Sequence, residues 1–232
     1  MAFILCIETA TKACSVALVS NGEIVDSRLS LIRNAHSTVL NLFIDELIKE
    51  SGYNYSHLDA VAVSKGPGSY TGLRIGVSTA KGLCYALGIP LIAPDTLACM
   101  ASGFISNQKD LPDNALFCPM IDARRMEVYT AVYDKNLTPL VQVDALIVDK
   151  DFLNQLDVDK PVYYFGEGAD KCLDVLSVRQ NWNLIPDFHN SAAHMGKIAS
   201  ENFKLSRFED VAYFEPFYLK DFVAGKPNVK GL

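Results

Sequence analysis

The run from Asp59 to Leu87 constrains this chain more than any other. Asp59-Ala60-Val61-Ala62-Val63-Ser64 reads as a buried strand, Lys65-Gly66-Pro67-Gly68-Ser69 as a tight turn, and Thr71 to Leu87 as a helix. A strand that turns straight into a long helix is a building step of α/β folds. Such a junction also presents free backbone N–H groups at the positive end of a helix dipole. The spacing fits neither common phosphate motif. Thr71 stands where a Walker A loop needs its second glycine, and Gly66, Gly68 and Gly72 leave one residue too many for the dinucleotide fingerprint. Two readings stay open: an anion contact through Gly66, Gly68 and Ser69, or a structural turn.

The remaining pattern extends the α/β reading. Residues 3–8, 14–20 and 23–31 alternate or run apolar, and Asn21-Gly22 is a type I′ hairpin signal, which predicts a three-stranded antiparallel meander. A helix at about 36–50, the strand and helix just described, a short strand near 90–93 and a helix from Asp95 follow. That order is the one found in ribonuclease H-like lobes of actin-like and sugar-kinase folds. Residues 103–114 carry loop chemistry and predict a boundary between a first lobe, 1–104, and a smaller second lobe, 105–232. The second half repeats the theme, with strands near 115–121, 126–134, 139–148 and 161–165. It also has a loosely helical 150–156, a helix after Gly168 and a long helix at about 191–206 that could pack back on the first lobe.

Composition narrows the class of function. The chain has 232 residues, 50% of them hydrophobic and 21% charged, as a globular protein with a sizeable core requires. A net charge of −6 argues against a stand-alone nucleic-acid binder, whose affinity rests on Lys and Arg neutralising phosphates. Cys6, Cys14, Cys84, Cys99, Cys118 and Cys172 show no metal spacing and read as reduced, buried thiols. Glu8 interrupts the first apolar run, which reads as a strand and not as a signal peptide. No apolar run approaches the ~18 residues of a membrane span.

The two helices of the first lobe carry more apolar surface than one contact uses. Val39, Leu40, Phe43, Ile44, Leu47 and Ile48 sweep half of the 36–50 helix. In the 71–87 helix the wet stripe is Arg74, Ser78, Lys81 and Tyr85, and three interior glycines, Gly72, Gly76 and Gly82, cost ~1 kcal/mol each against alanine. Close packing should offset that cost, either on the chain's own sheet or on a second chain.

Five motifs in order carry a family resemblance. They are Ile4-Leu5-Cys6-Ile7-Glu8-Thr9-Ala10-Thr11, Arg33-Asn34-Ala35-His36-Ser37, Gly66-Pro67-Gly68-Ser69-Tyr70-Thr71-Gly72-Leu73-Arg74-Ile75-Gly76, Ile121-Asp122-Ala123-Arg124-Arg125-Met126-Glu127-Val128-Tyr129 and Glu215-Pro216-Phe217-Tyr218-Leu219-Lys220. Together they resemble the TsaB (YeaZ) family, with Glu8 where an Asp is usual and Lys220 for an Arg. The resemblance implies a two-lobed actin-like (ASKHA), ribonuclease H-like fold and a cytoplasmic, non-catalytic dimerisation subunit. Its assembly transfers threonylcarbamoyl to the adenosine beside the anticodon of ANN-decoding tRNAs. It also implies a TsaD-like catalytic paralogue and a TsaE-like ATPase as partners, tRNA reached through the complex, and a homodimer when alone. ATP and metal are expected on the partners, with no cofactor on this chain. The partner face it implies is Val39, Leu40, Phe43, Ile44 and Leu47 with Thr71, Gly72, Leu73, Gly76, Thr79, Ala80 and Leu83.

The competing reading is a stand-alone actin-fold enzyme, a small-molecule kinase or a metallopeptidase. TsaD binds its metal through His-x-x-x-His on the equivalent first helix, whereas His36 here is followed four residues later by Leu40. One imidazole and one leucine cannot share a metal. His57, His189 and His194 read as structural or solvated. Glu8, with Thr9 and Thr11 in the turn that follows, occupies the place where actin-like ATPases hold a metal–nucleotide, a fold-level analogy only. Asp122-Ala123-Arg124-Arg125 reads as a polar hairpin tip, open to a partner, to phosphate or to solvent. Lys220, Lys226 and Lys230 make a basic tail.

Overall fold

The computed structural model describes residues 2–154, 156 and 159–220. Its first sheet has the order β3-β2-β1-β4-β5, built from β1 (Phe3–Glu8), β2 (Cys14–Ser20), β3 (Glu23–Ser30), β4 (Ala60–Val63) and β5 (Leu91–Ile92). The first three strands form the expected antiparallel meander, and Asn21 and Gly22 both take positive φ, as a type I′ turn demands. β4 runs parallel to β1, and β5 to β4. Helices α1 (His36–Glu50) and α2 (Tyr70–Leu87) cover one face, placing Leu40, Ile44, Leu47, Val77, Ala80 and Cys84 on Leu5, Ile7, Val16 and Leu18. On the other face a 3₁₀ turn, Ala192–Met195, bears on Ile4, Cys6, Ala17 and Val19. Burial on both faces explains why β1 and β2 read as continuous apolar runs.

Helix α3 (Thr96–Asn107) begins at Asp95, whose carboxylate accepts from the amides of Leu97 and Ala98. It sits between the two cores: Cys99 packs with the first, while Leu97, Met100 and Phe104 pack on the second sheet. That sheet has the order β10-β9-β6-β7-β8, built from β6 (Leu116–Asp122), β7 (Glu127–Tyr133), β8 (Pro139–Ile147), β9 (Val162–Phe165) and β10 (Trp182–Ile185). The one-turn α4 (Leu173–Leu176) closes its far side, and α5 (Gly196–Lys204) continues the 3₁₀ turn over the first sheet.

Several expectations need correction. Residues 103–107 are helical, because Gly103 accommodates the His194 ring and Phe104 anchors the second core. β10 was hidden by its short length and polar flanks; parallel pairing with β9 creates it. The helix after Gly168 amounts to a 3₁₀ turn and α4, and the described residues of 150–156 form turns and a bend. Lys226 and Lys230 lie outside the described residues. Among the described residues no helix is long and apolar enough to cross a membrane.

Candidate functional site

The turn after β1 is filled by the chain itself. The Ala10 N–H donates to Glu8 Oε1 at 2.7 Å, and the Ser64 hydroxyl donates to Glu8 Oε2. The Lys12 N–H donates to Glu167 Oε1 at 2.9 Å, and the Lys12 ammonium lies 3.9 Å from the other Glu167 oxygen. Glu167 follows β9, so this pair joins the two halves. Glu8 is fully buried; desolvation raises its pKa above the ordinary carboxylate value, against the hydrogen bonds from Ser64 and Ala10. Its carboxylate thus faces inward, with both oxygens engaged by the chain itself. Thr11 is buried too, its carbonyl 2.9 Å from His36 Nε2.

The Gly66–Ser69 turn docks on the same hairpin. The Ser69 N–H donates to the Ala10 carbonyl at 2.7 Å, and Ser69 Oγ caps α2 by accepting from the Gly72 N–H at 3.2 Å. A Cβ at Gly68 would overlap the Ala10 backbone, one at Gly72 the Thr9 carbonyl, and one at Gly76 the Thr9 hydroxyl. These glycines let α2 and the turn before it approach the turn after β1 closely. At Gly66, where φ is 117°, a Cβ would overlap the Phe217 carbonyl, so the structure supplies a reason for Gly66, Gly68 and Ser69 that involves no anion.

The expected partner face divides. Leu40, Ile44, Leu47, Gly72, Leu73, Gly76 and Ala80 are buried within the chain, because one half of each helix stripe meets the sheet. Thr71 is exposed, and Val39, Phe43, Thr79 and Leu83 are half-buried, so only these of the set remain accessible. Gly82 is exposed with nothing within 4 Å of an added Cβ, so no packing within the chain offsets its cost. Part of the wet stripe of α2 is engaged by the segment before Lys220. The Lys81 ammonium donates to the Ala212 and Phe214 carbonyls, the Phe217 N–H donates to the Lys65 carbonyl at 2.7 Å, and Arg74 lies 4.5 Å over the Tyr70 ring.

The second hairpin tip is built differently. Arg124 and Arg125 both adopt positive φ, 69° and 48°. The Arg124 N–H donates to Asp122 Oδ1 at 2.9 Å, and the Lys171 ammonium donates to the Arg125 and Glu127 carbonyls at 2.7 Å and to Asp122. Burial opposes ionisation of Asp122, yet the hydrogen bonds from Lys171 and the Arg124 amide hold its pKa below the ordinary value.

The histidines are dispersed. His57 and His189 are exposed, while His194 stacks on Phe188 at 5.1 Å and burial pushes its pKa down to about 4. Among the described residues no three His, Cys, Asp or Glu side chains are placed to hold a metal ion. All six cysteines are free and buried.

Two mixed sheets joined across α3, with hairpin tips converging at one end, define a protein of the actin-like class. The activator of 2-hydroxyisocaproyl-CoA dehydratase from Clostridium difficile shares that fold at 12% identity, with a TM-score of 0.53 over 88% of this chain and 97% of its own. The family model described as TsaD, tRNA N6-adenosine threonylcarbamoyltransferase, matches residues 30–160. The tRNA threonylcarbamoyladenosine biosynthesis protein TsaB of Escherichia coli is 31% identical over 96% of both chains. YeaZ from Pseudomonas aeruginosa superposes with a TM-score of 0.82 at 26% identity, over 94% of this chain and 100% of its own. The chain belongs to the TsaB (YeaZ) family.

Proposed function

We propose that this chain serves tRNA threonylcarbamoyladenosine biosynthesis as the non-catalytic dimerisation subunit that activates a TsaD-like catalytic paralogue. The observation that carries the reading is the match to Escherichia coli TsaB over 96% of both chains. Two features support the finer role. The Ala10 and Lys12 amides of the first turn are taken by the carboxylates of Glu8 and Glu167, where an actin-like ATPase would hold phosphate. The outer sides of α1 and α2 keep Val39, Phe43, Thr79 and Leu83 accessible beside an unexplained Gly82. That face is where a TsaD-like subunit, or a second copy of this chain when alone, would pack. In this reading ATP and metal belong to the partners, a TsaE-like ATPase completes the assembly, tRNA is reached through it, and the chain works in the cytoplasm.

Reconstitution of tRNA modification with purified subunits is the test. Omitting this chain should abolish most modification, and this chain alone should give none. Modification by this chain alone, or undiminished activity without it, overturns the reading. Phe43→Ser with Leu83→Ser should leave the monomer folded by circular dichroism and weaken association at least about tenfold, a loss of ~1.4 kcal/mol.

A further inference from the structure

The Arg124–Arg125 tip is the strongest surface feature that the proposed function does not absorb. Positive φ is uncommon outside glycine, asparagine and aspartate, and two consecutive arginines in that region are rarer still. The surroundings hold the pair in place. Asp122 accepts from the Arg124 amide, and Lys171 grips the carbonyls on both sides of Met126. A conformation that the residues themselves disfavour and the scaffold enforces points to a use for the side chains it presents.

The electrostatics indicate which use. Besides the buried Glu8, each carboxylate bonded at this end faces a lysine: Asp122 has Lys171, Glu127 has Lys220, and Glu167 has Lys12. Asp170, next to Lys171 in the chain, is a further exposed acid. Arg124 and Arg125 are exposed, and among the described residues neither guanidinium makes an ion pair or a hydrogen bond. In a chain of net charge −6, two adjacent unpaired guanidiniums thus stand together on one turn. Guanidinium forks match phosphate oxygens bidentately, and a fixed turn loses little entropy on contact.

We propose that Arg124 and Arg125 clamp backbone phosphates of the tRNA while the assembly holds it. This deepens the proposed function and rests on it. The pair is too small to bind RNA unaided, which agrees with the acidic composition; it would add affinity and orientation to contacts made mainly by the catalytic subunit.

The test uses the assembly of this chain with its catalytic partner and an unmodified tRNA transcript. Arg124→Asn with Arg125→Gly suits the positive-φ backbone and removes both charges. Its Kd for tRNA should rise about five- to tenfold at moderate salt, and the slope of log K against log salt should become shallower by ~1.5, as two lost phosphate contacts require. Arg124→Lys with Arg125→Lys keeps the charge and should retain most of the slope. Unchanged affinity and slope in the neutral variant overturn the proposal. So does a loss confined to its affinity for the catalytic subunit without tRNA, which would mark an acidic protein surface as the occupant. A wild-type assembly that neither binds nor modifies tRNA overturns the parent reading and the clamp with it; one that modifies tRNA while the neutral variant keeps its slope overturns the clamp alone.

Discussion

Two hairpin tips meet at one end of this molecule, close enough for Lys12 to act electrostatically on Asp122, and they are finished in opposite ways. The tip after β1 is closed: its Ala10 and Lys12 amides go to Glu8 and Glu167, and Gly72 and Gly76 of α2 press against Thr9. The tip between β6 and β7 is held open, with lysines neutralising its acids and two arginines facing outward on a disfavoured backbone. Both belong to a fold that in other proteins surrounds a nucleotide. The difference teaches that similar hairpins can use their polar groups within the chain or leave side chains at the surface.

Of two glycines on α2, the one pressed on the closed tip and the one clear of it should shift stability in opposite directions when substituted. The largest effect is expected for Gly72→Ala, whose Cβ would overlap the Thr9 carbonyl. Overpacking against backbone should cost roughly 2–3 kcal/mol in chemical denaturation. On the same helix Gly82→Ala meets nothing within 4 Å and should stabilise by ~1 kcal/mol through helix propensity. Two effects of the same sign would break the claim that the closed tip dictates the glycines of α2.

The pH dependence of Glu8 sharpens the contrast. Burial raises its folded pKa, so the native state keeps a proton that the unfolded chain releases. Its contribution to stability therefore falls as pH rises through the interval between the ordinary carboxylate value and the raised one. Glu8→Gln should gain on the wild type as pH rises from about 4 towards neutrality. Asp122, held low, works the other way, and its contribution is lost as pH falls below the ordinary value. A wild-type-minus-Glu8→Gln difference that stays flat with pH would mean that Glu8 is solvated, and one that rises with pH that it is held low as Asp122 is.

The smallest expected effect belongs to the link between the halves. Glu167→Gln keeps an acceptor for the Lys12 N–H but loses the charge, and with Lys12 largely exposed the cost should be under ~1 kcal/mol and vanish at high salt. A salt-independent loss would place the strength of the contact in packing.

By itself the sequence determined the order of strands and helices in the first half, because its signals are local. Asn21-Gly22 can supply a turn with positive φ, continuous apolar runs match strands covered on both faces, and Gly66 to Ser69 interrupt the chain between β4 and α2. The motifs also carried the family, since they repeat known residues in a known order. What tertiary structure alone decided is where each side chain is used. Leu40, Ile44 and Leu47 lie on the same helix as Val39 and Phe43, and only the position of the sheet separates core from accessible face. Glu8 and Glu167 are 159 positions apart in the chain, and no local pattern could have shown both carboxylates filling one turn. Arg124 and Arg125 were legible as a polar tip, but the enforced positive φ depends on Lys171, which reaches them from beyond β9. Hydrophobic period and turn chemistry act over a few residues, whereas close approach, burial of charge and backbone strain arise only when distant segments meet.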